Sequence, residues 1–143
     1  MKGNIDYSFV VDTSSLFNLF FIDSKSVVLE IMHKSFILDL TFYELGSVFV
    51  KGNDNHIKNL NKTEITELIN NIEKLISGIN VIRIQPEHIS GIMNISLSTG
   101  LTFYDSSYVF YSKNLNLPLL TDDKEINSKA QKLGINIMKV ADL

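Results

Sequence analysis

Four acidic residues lie far apart in the chain, and each one follows an apolar segment at a predicted helix start. They are Asp12, Glu44, Asp105 and Asp123. In a parallel α/β sheet, strand ends and the N-termini of the following helices collect along one edge, so carboxylates at these junctions can converge. Bare carboxylates repel one another, and a divalent cation relieves that repulsion. The placement predicts one shared site for Mg²⁺ or Mn²⁺.

The composition restricts what can bind such a metal. The chain of 143 residues contains no cysteine, which excludes disulfides and thiolate ligands. Its three histidines, His33, His56 and His88, occupy polar or helix-end positions and are poor candidates for ligands. Oxygen ligands remain, and they favour hard cations.

Helix capping is the structural alternative for each acid. Glu44 can close a capping box with Thr41. Asp12 can cap the helix that begins at Thr13, and Asp123 can stabilise the N-terminus of a later helix. Each position alone leaves both interpretations open. The occurrence of all four at the same end of the predicted sheet favours a functional site.

Short strands and helices that alternate along the chain must position these acids. Strands are predicted over residues 7–11, 35–38, 81–84, 118–120 and 135–140. Helices are predicted over residues 13–21, from 23 or 24 to 32, from 41 onward, 63–76, from 86 to about 100, from 102 onward, and 122–133. This alternation implies right-handed crossovers and a parallel sheet. The predicted fold class is α/β, a three-layer α/β/α sandwich with a central parallel sheet, in one domain over residues 1–143.

Charge and hydropathy restrict the class of protein less sharply. The hydrophobic fraction of 45% favours a sheet that is covered on both faces. The apolar run at residues 9–11 is stopped by Asp12, so no signal peptide is predicted and the protein is expected in the cytoplasm, without membrane contact. The net charge of −3 argues only weakly against nucleic acid, because cations bound by the four acids would offset it.

Four stretches resemble the PIN-domain ribonucleases, in particular the VapC-type toxins of toxin–antitoxin pairs. They are residues 10–16 (VVDTSSL), the helix that carries Glu44, residues 101–109 (LTFYDSSYV) and residues 117–124 (LPLLTDDK). Their order and spacing cover nearly the whole chain. The resemblance implies an α/β/α fold, metal-dependent endonucleolytic cleavage of RNA, and a catalytic and metal-binding site made by Asp12, Glu44, Asp105 and Asp123.

The resemblance also implies supporting residues. In the family pattern the last acid comes two residues after a threonine, which selects Asp123 over Asp122. Ser14 and Thr121 correspond to hydroxyl residues that orient the acids, and Asp122 is a neighbour whose charge contributes through a water.

Two protein partners are implied as well, namely a second copy in a homodimer and a small antitoxin that blocks the cleft. Apolar residues between 16 and 21 exceed what one buried helix face needs. Part of this segment is therefore predicted to serve the dimer interface.

Contacts to RNA are less defined by the sequence. Lys51 and Lys124 are candidates for binding phosphates, although a solvated surface is the commoner fate of such lysines. Residues 41–44 (TFYE) and 102–105 (TFYD) share a pattern that indicates similar local geometry. Tyr43 and Tyr104 within it can stack on bases, but their apolar helices favour a place in the core.

Other functional classes stay open. A phosphoacceptor or phosphatase can also use acids at strand ends, but Asp12 lacks the second nearby Asp that such folds usually carry. A PIN nuclease that processes RNA without an antitoxin is one alternative. A PIN-fold module that binds RNA or protein without catalysis is another.

Overall fold

The structure, a computed structural model, describes residues 6–143. The predicted absence of a signal peptide rests partly on residues 1–5, which lie outside this range. Five parallel strands form one sheet in the order β3-β2-β1-β4-β5. They are β1 (Val10–Val11), β2 (Phe36–Leu38), β3 (Asn80–Ile82), β4 (Leu119–Leu120) and β5 (Ile137–Met138). The predicted α/β class with a central parallel sheet is confirmed.

Helices cover both faces of the sheet. They are α1 (Thr13–Leu19), α2 (Lys25–Lys34), α3 (Asp39–Lys51), α4 (Lys62–Ile76), α5 (Ile89–Thr99), α6 (Phe103–Leu115) and α7 (Lys124–Ala130). Short 3-10 turns occupy Pro86–His88, Gln131–Leu133 and Val140–Asp142. Among residues 6–143, every helix is too short or too polar to span a membrane.

Two hydrophobic cores lie on opposite faces of the sheet. Because side chains alternate along a strand, Val11 packs into the core formed with α1, α2 and α4, whereas Val10 packs into the core formed with α5, α6 and α7. Both side chains are fully buried. The two-residue strand β1 is therefore apolar throughout, and the first polar residue after it is Asp12.

The strand register places two predicted site segments side by side. Val11 pairs with Leu120 across β1 and β4, and the Asp12 amide donates to the Leu120 carbonyl at 3.1 Å. The strand order changes direction between β1 and β4, which is where ligands bind in open parallel sheets. Asp12 and Thr121 consequently emerge together at this switch point.

Three local predictions are wrong. Helix α3 begins at Asp39, so Thr41 lies in its first turn and accepts a hydrogen bond from the Leu38 amide at 3.2 Å. Glu44 is thus in the second turn of α3 and does not close a capping box with Thr41. The strands are also shorter than the predicted segments, and the helix predicted from residue 86 starts as a 3-10 turn before α5.

The apolar segment predicted to serve a dimer interface belongs largely to the core. Leu16 and Leu19 are fully buried and Phe17 is 3% exposed, because α1 packs against α3 and its apolar side chains join the core on this face of the sheet. These three residues are therefore unavailable for such an interface. Phe20 and Phe21 are only partly buried.

Candidate active site

A cavity of about 370 Å³ opens at the switch point of the sheet. All four predicted acids line this cavity. Each belongs to a different helix, namely α1, α3, α6 or α7, either within it or at its N-cap. The full lining is Asp12, Thr13, Ser14, Glu44, Ser47, Val48, Lys51, Asp105, Tyr108 and Asp123. We call this space the acid cavity. A larger cavity of about 420 Å³ between α1, α2 and α4 has no acidic residue in its lining.

Asp12 caps α1 and also faces the acid cavity. Its Oδ1 accepts hydrogen bonds from the Ser15 amide at 2.9 Å and the Ser14 hydroxyl at 2.8 Å. Its Oδ2 accepts a hydrogen bond from the Thr121 hydroxyl. Burial raises the pKa of Asp12 to about 6, although these hydrogen bonds act in the opposite direction. Asp12 therefore both caps α1 and lines the acid cavity.

Thr121 connects Asp12 with Asp123. The Thr121 hydroxyl donates to Asp12 and accepts from the Asp123 amide at 3.1 Å. Asp123 in turn caps α7, because its Oδ1 accepts from the Glu125 and Ile126 amides at 2.9 Å each. A single buried hydroxyl thus holds two carboxylate-bearing segments in fixed relation.

Asp105 lies in the first turn of α6. The helix is capped by Thr102, whose hydroxyl accepts from the Asp105 amide at 3.1 Å, so the side chain of Asp105 is not needed for the cap. Burial raises the pKa of Asp105, and the negative charge of Asp123 raises it further, with smaller contributions from Glu44 and Glu125. These carboxylates therefore repel one another across the cavity.

Glu44 is held by hydroxyl groups from two other helices. Its Oε1 accepts from the Tyr108 hydroxyl at 2.7 Å and from the Thr13 hydroxyl at 2.9 Å. The Thr41 hydroxyl lies 2.8 Å from the Tyr108 oxygen. Since each hydroxyl has one proton, Thr41 donates to Tyr108 when Tyr108 and Thr13 both donate to Glu44. Burial and the charge of Glu44 raise the pKa of Tyr108, so this phenol stays protonated as a donor.

Thr13, Thr41 and Tyr108 are absent from the site residues predicted from the sequence. A weak signal exists for Tyr108, which stands three residues after Asp105 and therefore near it on α6. Thr13 has a comparable signal, since it directly follows Asp12. Neither spacing identifies Glu44 as the common partner.

Replacing Tyr108 with Phe is expected to weaken Mn²⁺ binding about tenfold, because Glu44 loses a donor that orients it while the ring still fills the core. Calorimetric titration with Mn²⁺ measures this change. Tyr111→Phe is the matched control, since Tyr111 is on the same helix and its hydroxyl meets His88 Nδ1 at 3.0 Å, away from the acid cavity. Equal affinities of both variants and the wild type would contradict the role of Tyr108.

Of the other predicted site residues, some line the acid cavity and others lie outside it. Ser14 and Lys51 line the acid cavity, whereas Lys124 does not. Asp122 also lies outside the lining, because its Oδ2 accepts from Asn18 Nδ2 at 2.7 Å and its Oδ1 accepts from the Val140 amide at 3.0 Å. The Asp122 carboxylate therefore ties its segment to α1 and to the last 3-10 turn.

The donor set of the acid cavity fits a hard divalent cation. Within residues 6–143, none of the four acids forms an ion pair with Lys, Arg or His. Over the same range, no three acidic or histidine side chains are already arranged to hold one ion among them. Mg²⁺ does not require that arrangement, since it keeps several waters and binds through one or two carboxylates plus substrate phosphate. The buried Asp12 and the repelled Asp105 are the groups that a cation would stabilise.

A protein-family comparison defines the class of this protein. Residues 9–132 match the model of the PIN domain family. The chain belongs to the PIN domain family, and the resemblance predicted from its motifs is confirmed.

Individual relatives agree with this assignment. The chain is 28% identical over 123 residues to exonuclease VapC9 of Pyrobaculum aerophilum, covering 86% of each chain. The crystal structure of PAE2754 from Pyrobaculum aerophilum is similar at a TM-score of 0.74 and 25% identity, covering 94% of this chain and 92% of that one. A PilT N-terminus domain protein, SSO1118 from Sulfolobus solfataricus P2, shares the fold at a TM-score of 0.53 and 18% identity, with coverage of 94% and 88%.

Proposed function

We propose that this protein is a Mg²⁺- or Mn²⁺-dependent endoribonuclease of the VapC type. The observation that carries the proposal is the acid cavity, in which Asp12, Glu44, Asp105 and Asp123 converge at the switch point of a PIN-domain sheet. Oxygen ligands alone suit these two cations. No histidine base is needed, because the attacking group in such a reaction is water activated beside the metal.

The residues of the acid cavity have different proposed roles. Asp12, Asp105, Asp123 and Glu44 would hold the cation and orient the water beside it. A bound divalent cation supplies Lewis-acid chemistry, lowering the pKa of water and stabilising the charge on the phosphate. The hydrogen bonds that Asp12 receives from Ser14 and Thr121 fix its carboxylate before substrate arrives.

Lys51 is the positively charged side chain best placed to bind the RNA backbone. It lies in the last turn of α3 and lines the acid cavity together with Glu44 and Ser47. A lysine at the rim attracts the phosphates while leaving the four acids to the metal. Lys124 stays a weaker candidate, since it is absent from the lining.

The mode of cutting has two candidates. The VapC-type motifs favour an endonuclease, whereas the relative from Pyrobaculum aerophilum carries the name exonuclease. An endonuclease cuts a strand without free ends, and an exonuclease cannot. Circular RNA therefore separates the two.

Purified protein with Mn²⁺ is expected to linearise circular single-stranded RNAs that carry a randomised segment, and a chelator is expected to stop the reaction. Gel analysis of the circles and of linear RNAs of the same sequence provides the measurement. Shortening of the linear RNAs alone would replace the endonuclease with an exonuclease. RNA binding without any cutting would favour a binding module instead.

Partners follow from the VapC resemblance. We expect a homodimer and a small antitoxin that covers the acid cavity, in the cytoplasm. Light scattering that gives the mass of a monomer would contradict the dimer. A neighbouring gene for a small DNA-binding protein would support toxin–antitoxin function over routine RNA processing.

A further inference from the structure

Two exposed tyrosines flank the acid cavity. Tyr43 precedes Glu44 on α3 and is 80% exposed, and Tyr104 precedes Asp105 on α6 and is 59% exposed. Their sequence-based placement in the core is therefore wrong. The repeated pattern Thr-Phe-Tyr-acid puts one exposed phenol ring directly before a site carboxylate on each of two helices.

Both rings line one cavity of about 390 Å³, which we call the tyrosine cavity. Its lining consists of Leu40, Tyr43, Glu44, Ser47 and Tyr104. Glu44 and Ser47 also line the acid cavity, so the two spaces adjoin each other. Whatever occupies the tyrosine cavity therefore lies beside the proposed position of the scissile phosphate.

The faces of the two rings are available to a ligand. The aromatic contacts found within residues 6–143 involve other rings, in one group around Phe17 and another around Phe110. Neither Tyr43 nor Tyr104 takes part in them, and over that range neither hydroxyl has a hydrogen-bond partner in the protein. Two large aromatic side chains are thus held in water, where they contribute little to the stability of the fold.

The chemistry of the lining selects a flat, uncharged group. Leu40 and the two tyrosines supply apolar and aromatic surface, and no Lys or Arg belongs to the lining. A phosphate in this cavity would find no Lys or Arg to bind it, so the backbone of RNA does not fit here. A nucleobase does fit, because bases stack on aromatic rings with little regard to sequence.

We propose that the tyrosine cavity binds the base of a nucleotide adjacent to the scissile phosphate, stacked on Tyr43, Tyr104 or both. The inference rests on the proposed ribonuclease function and specifies its substrate. A base held there is unstacked from its neighbours and unpaired, so the substrate class is single-stranded RNA or the unpaired loops of folded RNA.

The test combines enzyme variants with a modified substrate. Tyr43→Leu and Tyr104→Leu remove the aromatic faces, whereas Tyr43→Phe and Tyr104→Phe keep them and serve as matched controls. The substrate is a single-stranded RNA with a mapped cut, prepared intact and with an abasic nucleotide on either side of that cut. Values of kcat/KM are measured with Mn²⁺ for every pair of enzyme and RNA.

If a base stacks on these tyrosines, the kcat/KM values should follow a specific pattern. At least one Leu variant loses about tenfold or more in kcat/KM on intact RNA, while the Phe variants stay within about twofold of wild type. Removing the base on one side of the cut lowers the wild-type value by a similar factor. The Leu variant loses nothing further on that abasic RNA, because the interaction is already missing.

Three outcomes would overturn the base site. They are Leu variants as active as wild type, losses that are equal on intact and abasic RNA, and a change of oligomeric mass in the Leu variants by light scattering. The last would make the tyrosines part of a subunit contact. If wild type cuts no RNA, the proposed function fails separately, and anisotropy of labelled RNA then tests the base site by whether Tyr43→Leu and Tyr104→Leu weaken binding.

Discussion

Replacing Asp105 with Asn is expected to reduce RNA cleavage about a hundredfold while the protein remains folded. The substitution removes a charge from the acid cavity, so cation binding weakens. The fold is retained because the cap of α6 uses the Asp105 backbone amide and the Thr102 hydroxyl. Repulsion from Asp123 and Glu44 also disappears, so the metal-free variant should be no less stable than wild type.

Glu125→Gln is the matched control for this experiment. Glu125 also raises the pKa of Asp105 through its charge, but it lies outside the lining of the acid cavity and pairs with Lys129 at 2.5 Å. Cleavage rates and thermal unfolding of both variants are measured in Mn²⁺. Normal cutting by Asp105→Asn, or an equal loss in Glu125→Gln, would remove Asp105 from the proposed site.

The convergence of the acids is predictable because topology determines it. In alternating parallel strands and helices, a residue that follows a buried strand must emerge at the carboxyl edge of the sheet. Asp12 and Asp123 follow β1 and β4, which are neighbours in the sheet. Local sequence patterns identify both strands, so no long-range contact has to be known in advance.

The start of α3 is not predictable in the same way. Thr41 and Glu44 fit a capping box, but a threonine also fits the first turn of a helix that begins earlier. Thr41 lies in the first turn of α3 and not at its N-cap, because its hydroxyl forms hydrogen bonds with both the Leu38 amide and the Tyr108 hydroxyl. Tyr108 is 67 residues further along the chain, and no local pattern reveals that contact.

The exposure of Tyr43 follows from the same helix register. Thr41 and Leu45 are the buried residues of α3, and they are four positions apart on one face. Tyr43 lies midway between them in sequence and therefore on the opposite face. An apolar neighbourhood alone suggests burial, whereas the position of the buried stripe decides it.

Replacing Asp12 with Asn is expected to stabilise the metal-free protein above pH 6. The pKa of Asp12 is raised from 3.8 to about 6 by burial. Between these values the folded state holds a proton that the unfolded state releases, so the free energy of unfolding falls as pH rises. Above pH 6 the full cost persists, about 3 kcal/mol. Below pH 3.8 the carboxyl group is protonated in both states and the cost is absent.

Asparagine suits this position apart from its lack of charge. It is as good an N-cap as aspartate, so the bond from the Ser15 amide is retained. The Thr121 hydroxyl oxygen has two lone pairs, so it can accept from the new amide group while it still accepts from the Asp123 amide. Its own proton then loses Asp12 as an acceptor, which offsets part of the gain in stability. The substitution therefore chiefly removes a buried charge.

Chemical denaturation of both proteins in a chelator, at pH 4 and pH 8, measures the effect. The variant should gain up to about 3 kcal/mol over wild type at pH 8 and little at pH 4. Adding Mn²⁺ at pH 8 should raise the unfolding temperature of wild type more than that of the variant, because the cation offsets the charge that only wild type carries. A variant that is less stable than wild type at pH 8 without metal would contradict a destabilising charge at Asp12. The aspartate would then be retained for the fold itself, and its place in the acid cavity would no longer argue for metal binding.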